Sequence, residues 1–152
     1  MQFTLRYQVL IDQESLTVPC PDEIVSTITR PSYRWCNSPV NHQHNFFPNR
    51  FVDQLKGKAR RKLKGDKDCC EYCAISFFDT LDNAKDRFMG FPDRIREMLG
   101  YTHVAHGVVE DTDGLTSEPD EYGHFNFFEF DNLTVQLQDK FIIVHSFSNG
   151  II

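Results

Sequence analysis

The chain has 152 residues, 40% of them apolar and 25% charged, with 8 glycines and 7 prolines. That length suits one globular domain (residues 1–152) around one core, and that composition excludes a collagen-like or disordered chain. Lys and Arg number 16 against 22 Asp and Glu, a formal charge of −6, which disfavours nonspecific nucleic-acid binding.

No apolar run approaches the ~18 residues of a membrane span, so no membrane partner is expected. Met1–Arg6 lacks the basic and apolar regions of a secretory signal. The five cysteines, Cys20, Cys36, Cys69, Cys70 and Cys73, are odd in number. Together these features point to a cytoplasmic setting, reduced thiols and no stable intramolecular disulfide.

In chain order, Phe3–Ile11 alternates, with Phe3, Leu5, Tyr7, Val9 and Ile11 on one face, and reads as a strand. Pro19-Cys20-Pro21 breaks regular structure, and Asp22–Ile28 suits a short helical turn. Ser32–Trp35 reads as a short extended piece, since Pro31 disfavours helix before it. Residues 37–49, with Pro39, Pro48 and four Asn, form a long loop of the kind that often carries function. Arg50–Leu63 suits a short helix, with Phe51 and Leu55 inward, followed by an exposed basic loop.

Tyr72–Asp79 reads as a buried strand and runs into a helix capped by Asp79 or Thr80. Leu81, Ala84, Lys85 and Phe88 supply that helix's inward stripe. Pro92–Leu99 follows as a second helix stopped by Gly100. Tyr101–Val109 is the next strand, residues 110–122 an acidic solvated loop, and His124–Phe130 an aromatic-rich strand. Leu133–Leu137 and Phe141–Phe147 complete the strands. The expected architecture is α+β: β-rich, with a mostly antiparallel sheet and two to four short helices.

Charge is unevenly spread. Residues 50–67 hold eight basic side chains against Asp53 and Asp66, and residues 110–131 hold eight acids and no Lys or Arg. Mutual attraction across the fold and a solvated surface are the plain readings of these two runs. Arg60-Arg61-Lys62-Leu63-Lys64 could meet phosphates, but Phe46, Phe47 and Phe51 nearby belong in a core, so nucleic acid remains disfavoured as a partner.

Cys70-x-x-Cys73 has a zinc-ligand spacing, and His42, His44 or Cys36 would have to complete the site. No second Cys-x-x-Cys exists, so zinc is disfavoured and ordinary thiols are the simpler reading; no metal ligand is assigned. No phosphate-loop, dinucleotide or nucleophile-elbow motif is present. His103 and His106 differ in parity along a strand and face opposite ways.

A further set gathers by strand order. Tyr33-Arg34-Trp35 puts an Arg on an early strand. Ile75-Ser76-Phe77 puts a Ser on a middle strand that runs into the Leu81–Phe88 helix, and Gly123-His124-Phe125 opens a late strand. Across residues 33–130 this order resembles ADP-ribosyltransferase-like domains. The resemblance implies an Arg for the diphosphate, a Ser beside the NAD-binding helix, and a late Glu that stabilises an oxocarbenium-like centre. Arg34 and Ser76 would fill the first two places, with Glu110 or Glu129 the third.

The candidate catalytic residues are therefore Arg34, Ser76, His124 and Glu129. Arg34, His42 and His44 are the candidate cofactor contacts, and NAD or another nucleotide is the implied ligand. In general character the chain also resembles short bacterial open reading frames of unassigned activity. The alternative is a non-catalytic protein-binding module of adaptor or immunity type, using the acidic 110–122 segment against a basic partner.

Overall fold

The computed structural model describes residues 4–22, 24–131 and 136–147. Its frame is one six-stranded sheet in which every neighbouring pair is antiparallel. In chain order the elements are α1 (Gln8–Gln13), β1 (Arg30–Cys36), α2 (Asn49–Leu55), α3 (Gly65–Tyr72), β2 (Ile75–Phe78), α4 (Leu81–Met89), α5 (Asp93–Leu99), β3 (His103–Val109), β4 (Gly114–Thr116), β5 (His124–Glu129) and β6 (Phe141–Ser146). A 3-10 turn, Leu137–Lys140, leads into β6. The spatial order is β4-β5-β2-β1-β3-β6. The fold is α+β, with five helices among the described residues where two to four were expected. No helix among the described residues is long and apolar enough to cross a membrane.

Period-two alternation sets the core. Ile75 and Phe77 on β2, with Phe125 and Phe127 on β5, turn to one face and pack with Cys36, Ala105, Val109 and Phe141. Ala74 and Phe128 turn to the other face and meet Tyr7, Leu10 and Ile11 from the N-terminal segment. Helix α4 covers a third cluster. Thr80 Oγ1 caps it by accepting the Asn83 amide, and Ala84 and Phe88 face inward. Gly100 ends α5 in the left-handed conformation at φ 74°.

Several expectations need correction. The strand expected over Phe3–Ile11 does not form among its described residues, 4–11: residues 8–13 are helical, and Leu5 makes only an isolated bridge to Phe130. The run also carries the helical spacing Tyr7, Leu10, Ile11, and burial follows that pattern while Val9 stays exposed. Among the described residues of 22–28 no helix forms: the Val25 amide donates to Asp22 O in one turn, and Ser26 bridges to Thr116 of β4. Helix α2 and the exposed, irregular segment 56–64 match the expected short helix and basic loop, whereas helix α3, with Cys69 and Tyr72 as its buried side, takes the place of the start of the strand expected from Tyr72. Strand β4 lies within the expected 110–122 loop. Of the strand expected over 133–137, residues 133–135 fall outside the described residues, and Leu137 starts the 3-10 turn.

The thiols are not all reduced, because Cys20 and Cys70 form a disulfide. Cys36, Cys69 and Cys73 remain free and buried. The adjacency of Cys69 and Cys70 gave no hint of a partner 50 residues away, brought alongside α3 by the 14–22 segment. The charge runs do not pair with each other in the expected way either. Arg50 and Arg60 both converge on the buried Glu14 carboxylate, and Arg61 binds Asp53 at 2.9 Å. Lys140, by contrast, holds Glu110 and Asp113.

Candidate functional site

Strands β1 and β3 pair along seven residues, but β1 and β2 share the single registered pair Tyr33–Phe78. Beyond it the two strands part. Arg34 fills the parting: Nη1 donates to Ser76 O at 2.7 Å, Nε to Asn45 O at 2.5 Å and Nη2 to Phe47 O at 3.2 Å. Asn45 ties the 37–48 loop together by bonding the Asn37, Pro39 and Val40 carbonyls. Thus the long loop presents two carbonyls to a buried guanidinium. Burial works against the Arg34 charge, and an arginine stays protonated regardless. Three of its five N–H groups are committed to backbone, and no carboxylate partners it among the described residues.

A cleft of about 340 Å³ opens beside this parting, with Arg34 at its edge. Its polar floor follows from register. Phe78 lies opposite His124 and Ser76 opposite Asn126, so Ser76 and His124 are diagonal neighbours on one face. The Ser76 hydroxyl and His124 Nε2 are 2.9 Å apart. On the other side of the ring, Nδ1 lies 3.8 Å from Asp120 Oδ2. Asp120 is held in turn by the Tyr122 and His124 amides, which both donate to Oδ1. Burial lowers the His124 pKa and keeps the imidazole neutral; Arg34 and Arg87 push the same way, while Asp120 and Glu71 oppose.

The walls are aromatic. Trp35 donates Nε1–H to Ala84 O at 2.8 Å and contacts Phe78 and Tyr101. Across the cleft, the Arg87 guanidinium lies 4.4 Å from the Tyr122 ring centre and 5.1 Å from that of Phe91. Arg87 is exposed and has no carboxylate partner among the described residues.

Of the residues singled out from sequence, Arg34, Ser76 and His124 meet at this cleft. Glu129, His42 and His44 do not. Glu129 differs in parity from His124 along β5 and so faces away, into a pocket of about 50 Å³ shared with Arg6, His42 and His44. There it pairs with Arg6 at 3.3 Å, and burial lifts its pKa to about 7. From sequence, Asp120 counts only as one of the eight acids of 110–131, and Arg87 carries no signal of its own. Asp120 sits after Pro119 in a turn closed by Gly123, an arrangement that suits an Asp bonding its own backbone. Cys70 is occupied by its disulfide, and no group of three His, Cys, Asp or Glu among the described residues suits a metal.

No protein-family model matches the chain, and no curated protein or solved structure matches it. The cleft itself carries the chemistry: a neutral imidazole against a hydroxyl, aromatic walls, and a guanidinium with no carboxylate partner among the described residues.

Proposed function

We propose that the cleft beside β1 and β2 takes a nucleotide-class ligand, NAD or a relative, and that the chain uses it in group transfer. The observation that carries this is Arg87, a cation with no carboxylate partner among the described residues, lying over Tyr122 and Phe91 and facing a cleft walled by Trp35. A planar base stacks on such walls, and a phosphate supplies the missing anion. The order of the parts supports the transferase plan: Arg34 on β1, Ser76 on β2 before α4, and His124 on the late strand β5. Asp120, not Glu129, is the carboxylate that this reading would use at the cleft.

The Cys20–Cys70 bond runs against the cytoplasmic setting expected from the sequence, because such bonds persist in oxidising compartments. Calorimetric titration with NAD, ADP-ribose and AMP tests the reading. Binding is expected for the wild type and is expected to weaken by about tenfold or more in Arg87→Ala. No heat with any of the three would discard it in favour of a non-catalytic protein-binding module.

A further inference from the structure

We propose that Ser76 is an activated nucleophile and that the chain cleaves small carboxylic esters, an activity beyond nucleotide binding. Three placements carry it. The Ser76 hydroxyl is in hydrogen-bond contact with His124 Nε2 at 2.9 Å, the reach a general base requires. The opposite ring nitrogen lies 3.8 Å from Asp120 Oδ2, so the ring becomes ion-paired once it gains a proton. Both ends of the relay are anchored, Asp120 by two backbone amides and the Ser76 carbonyl by Arg34.

The space around the relay suits a two-part substrate. A second cavity, about 360 Å³, adjoins the first, and His124 and Asp120 line both. Its walls include Val18, Ile24, Val25 and Phe128, of which Val18 and Ile24 are exposed. An acyl chain covers those side chains, while the alcohol half lies toward Trp35 and Tyr122. The scissile bond then falls at the junction, beside Ser76.

In the first step Ser76 Oγ bonds to the ester carbonyl carbon, and its proton passes to His124 Nε2. The imidazolium faces Asp120. The tetrahedral adduct collapses, the carbon–oxygen bond to the alcohol breaks, and the alcohol leaves with the proton from Nε2. Water then attacks the acyl-serine by the same route, releasing the acid and restoring Ser76. Ester and water are the only reactants. Asp120, Glu71, Arg34 and Arg87 are the charged groups that act on the imidazole.

The full-length protein is treated with a fluorophosphonate probe and the adduct mapped by mass spectrometry, alongside release of p-nitrophenol from p-nitrophenyl butyrate. A single adduct on Ser76 is expected, with its rate rising with pH to a plateau as His124 loses its proton. His124→Ala and His124→Gln, each checked for native near-ultraviolet circular dichroism, are expected to slow labelling about a hundredfold or more. Asp120 is a positioning residue: Asp120→Asn is expected to lower the plateau and move the inflection to lower pH, since its charge raises the His124 pKa. No adduct on Ser76 of the folded wild type would overturn the proposal, as would labelling that is undiminished in both folded His124 variants. Nucleotide binding uses the same cleft and is read separately, through Arg87→Ala, so that failure of one reading is distinguishable from failure of the other.

Discussion

Arg34 on β1 donates through Nη1 to the carbonyl of Ser76 on β2, across strands that have already parted. The bond replaces a missing ladder contact and holds open the edge of the cleft. It also makes Arg34 a strut, since its other two bonds secure Asn45 and Phe47.

Arg34→Ala is therefore expected to destabilise the fold by about 3 kcal/mol or more, because three carbonyls lose a charged donor. Arg34→Lys is expected to recover little, since an ammonium cannot reproduce the three-way fork. Urea unfolding midpoints measure both. An unchanged midpoint in Arg34→Ala would reduce the residue to a surface contact.

Gly123 precedes His124 at φ 75°, and a side chain there would run into the Asp79 carboxylate and the Asn83 amide. These two groups bond each other at 2.8 Å at the start of α4. Gly123→Ala is expected to cost about 2 kcal/mol or more and to displace His124. Thermal unfolding reads the first effect, and the pH titration of the His124 ring resonances reads the second.

The Cys20–Cys70 bond closes a separation of 50 residues. On a chain-entropy basis its removal is expected to cost about 4 kcal/mol. Cys20→Ser should lower the denaturation midpoint, and reductant should do the same to the wild type but not to the variant. Equal wild-type midpoints with and without reductant would contradict this.

Glu129 is buried against Arg6 with a pKa lifted from 4.5 to about 7. The folded state therefore binds more protons than the unfolded chain between these values. Its contribution is full below about pH 4.5 and is lost as pH rises through 7. Glu129→Gln is expected to remove that loss, so its stability relative to wild type should rise from pH 5 to pH 8. A difference that does not change with pH would contradict the raised pKa.

The sequence made some of this legible, for physical reasons that differ by residue. β1, β3 and β5 declare themselves through aromatic and β-branched side chains, and α4 through Thr80 and the Ala84–Phe88 spacing. Loop 37–48 was legible from its prolines and asparagines, although its purpose was not: Asn45 and two carbonyls serve a buried arginine. The N-terminal segment was ambiguous because Leu5–Ile11 satisfies both periods, and only tertiary burial chooses between them. Helix α3 was obscured by its charge, although Asp66 and Asp68 in its first turn suit a helix N-terminus. Ser76 and His124 could be nominated from strand order, but their contact depends on a β2–β5 register that no local motif encodes. Arg87 was invisible for the same reason: its meaning lies in Tyr122, which reaches it only through the folded turn before β5.

Trp35 is the chain's single tryptophan, and it lines the cleft. Its fluorescence thus reports occupancy of the site directly. Titrating the wild type with NAD and with ADP-ribose is expected to change its emission saturably, and Arg87→Ala is expected to need about ten times more ligand for the same change. Emission that stays constant through millimolar nucleotide, in protein whose circular dichroism is native, would contradict a nucleotide-class ligand at this cleft.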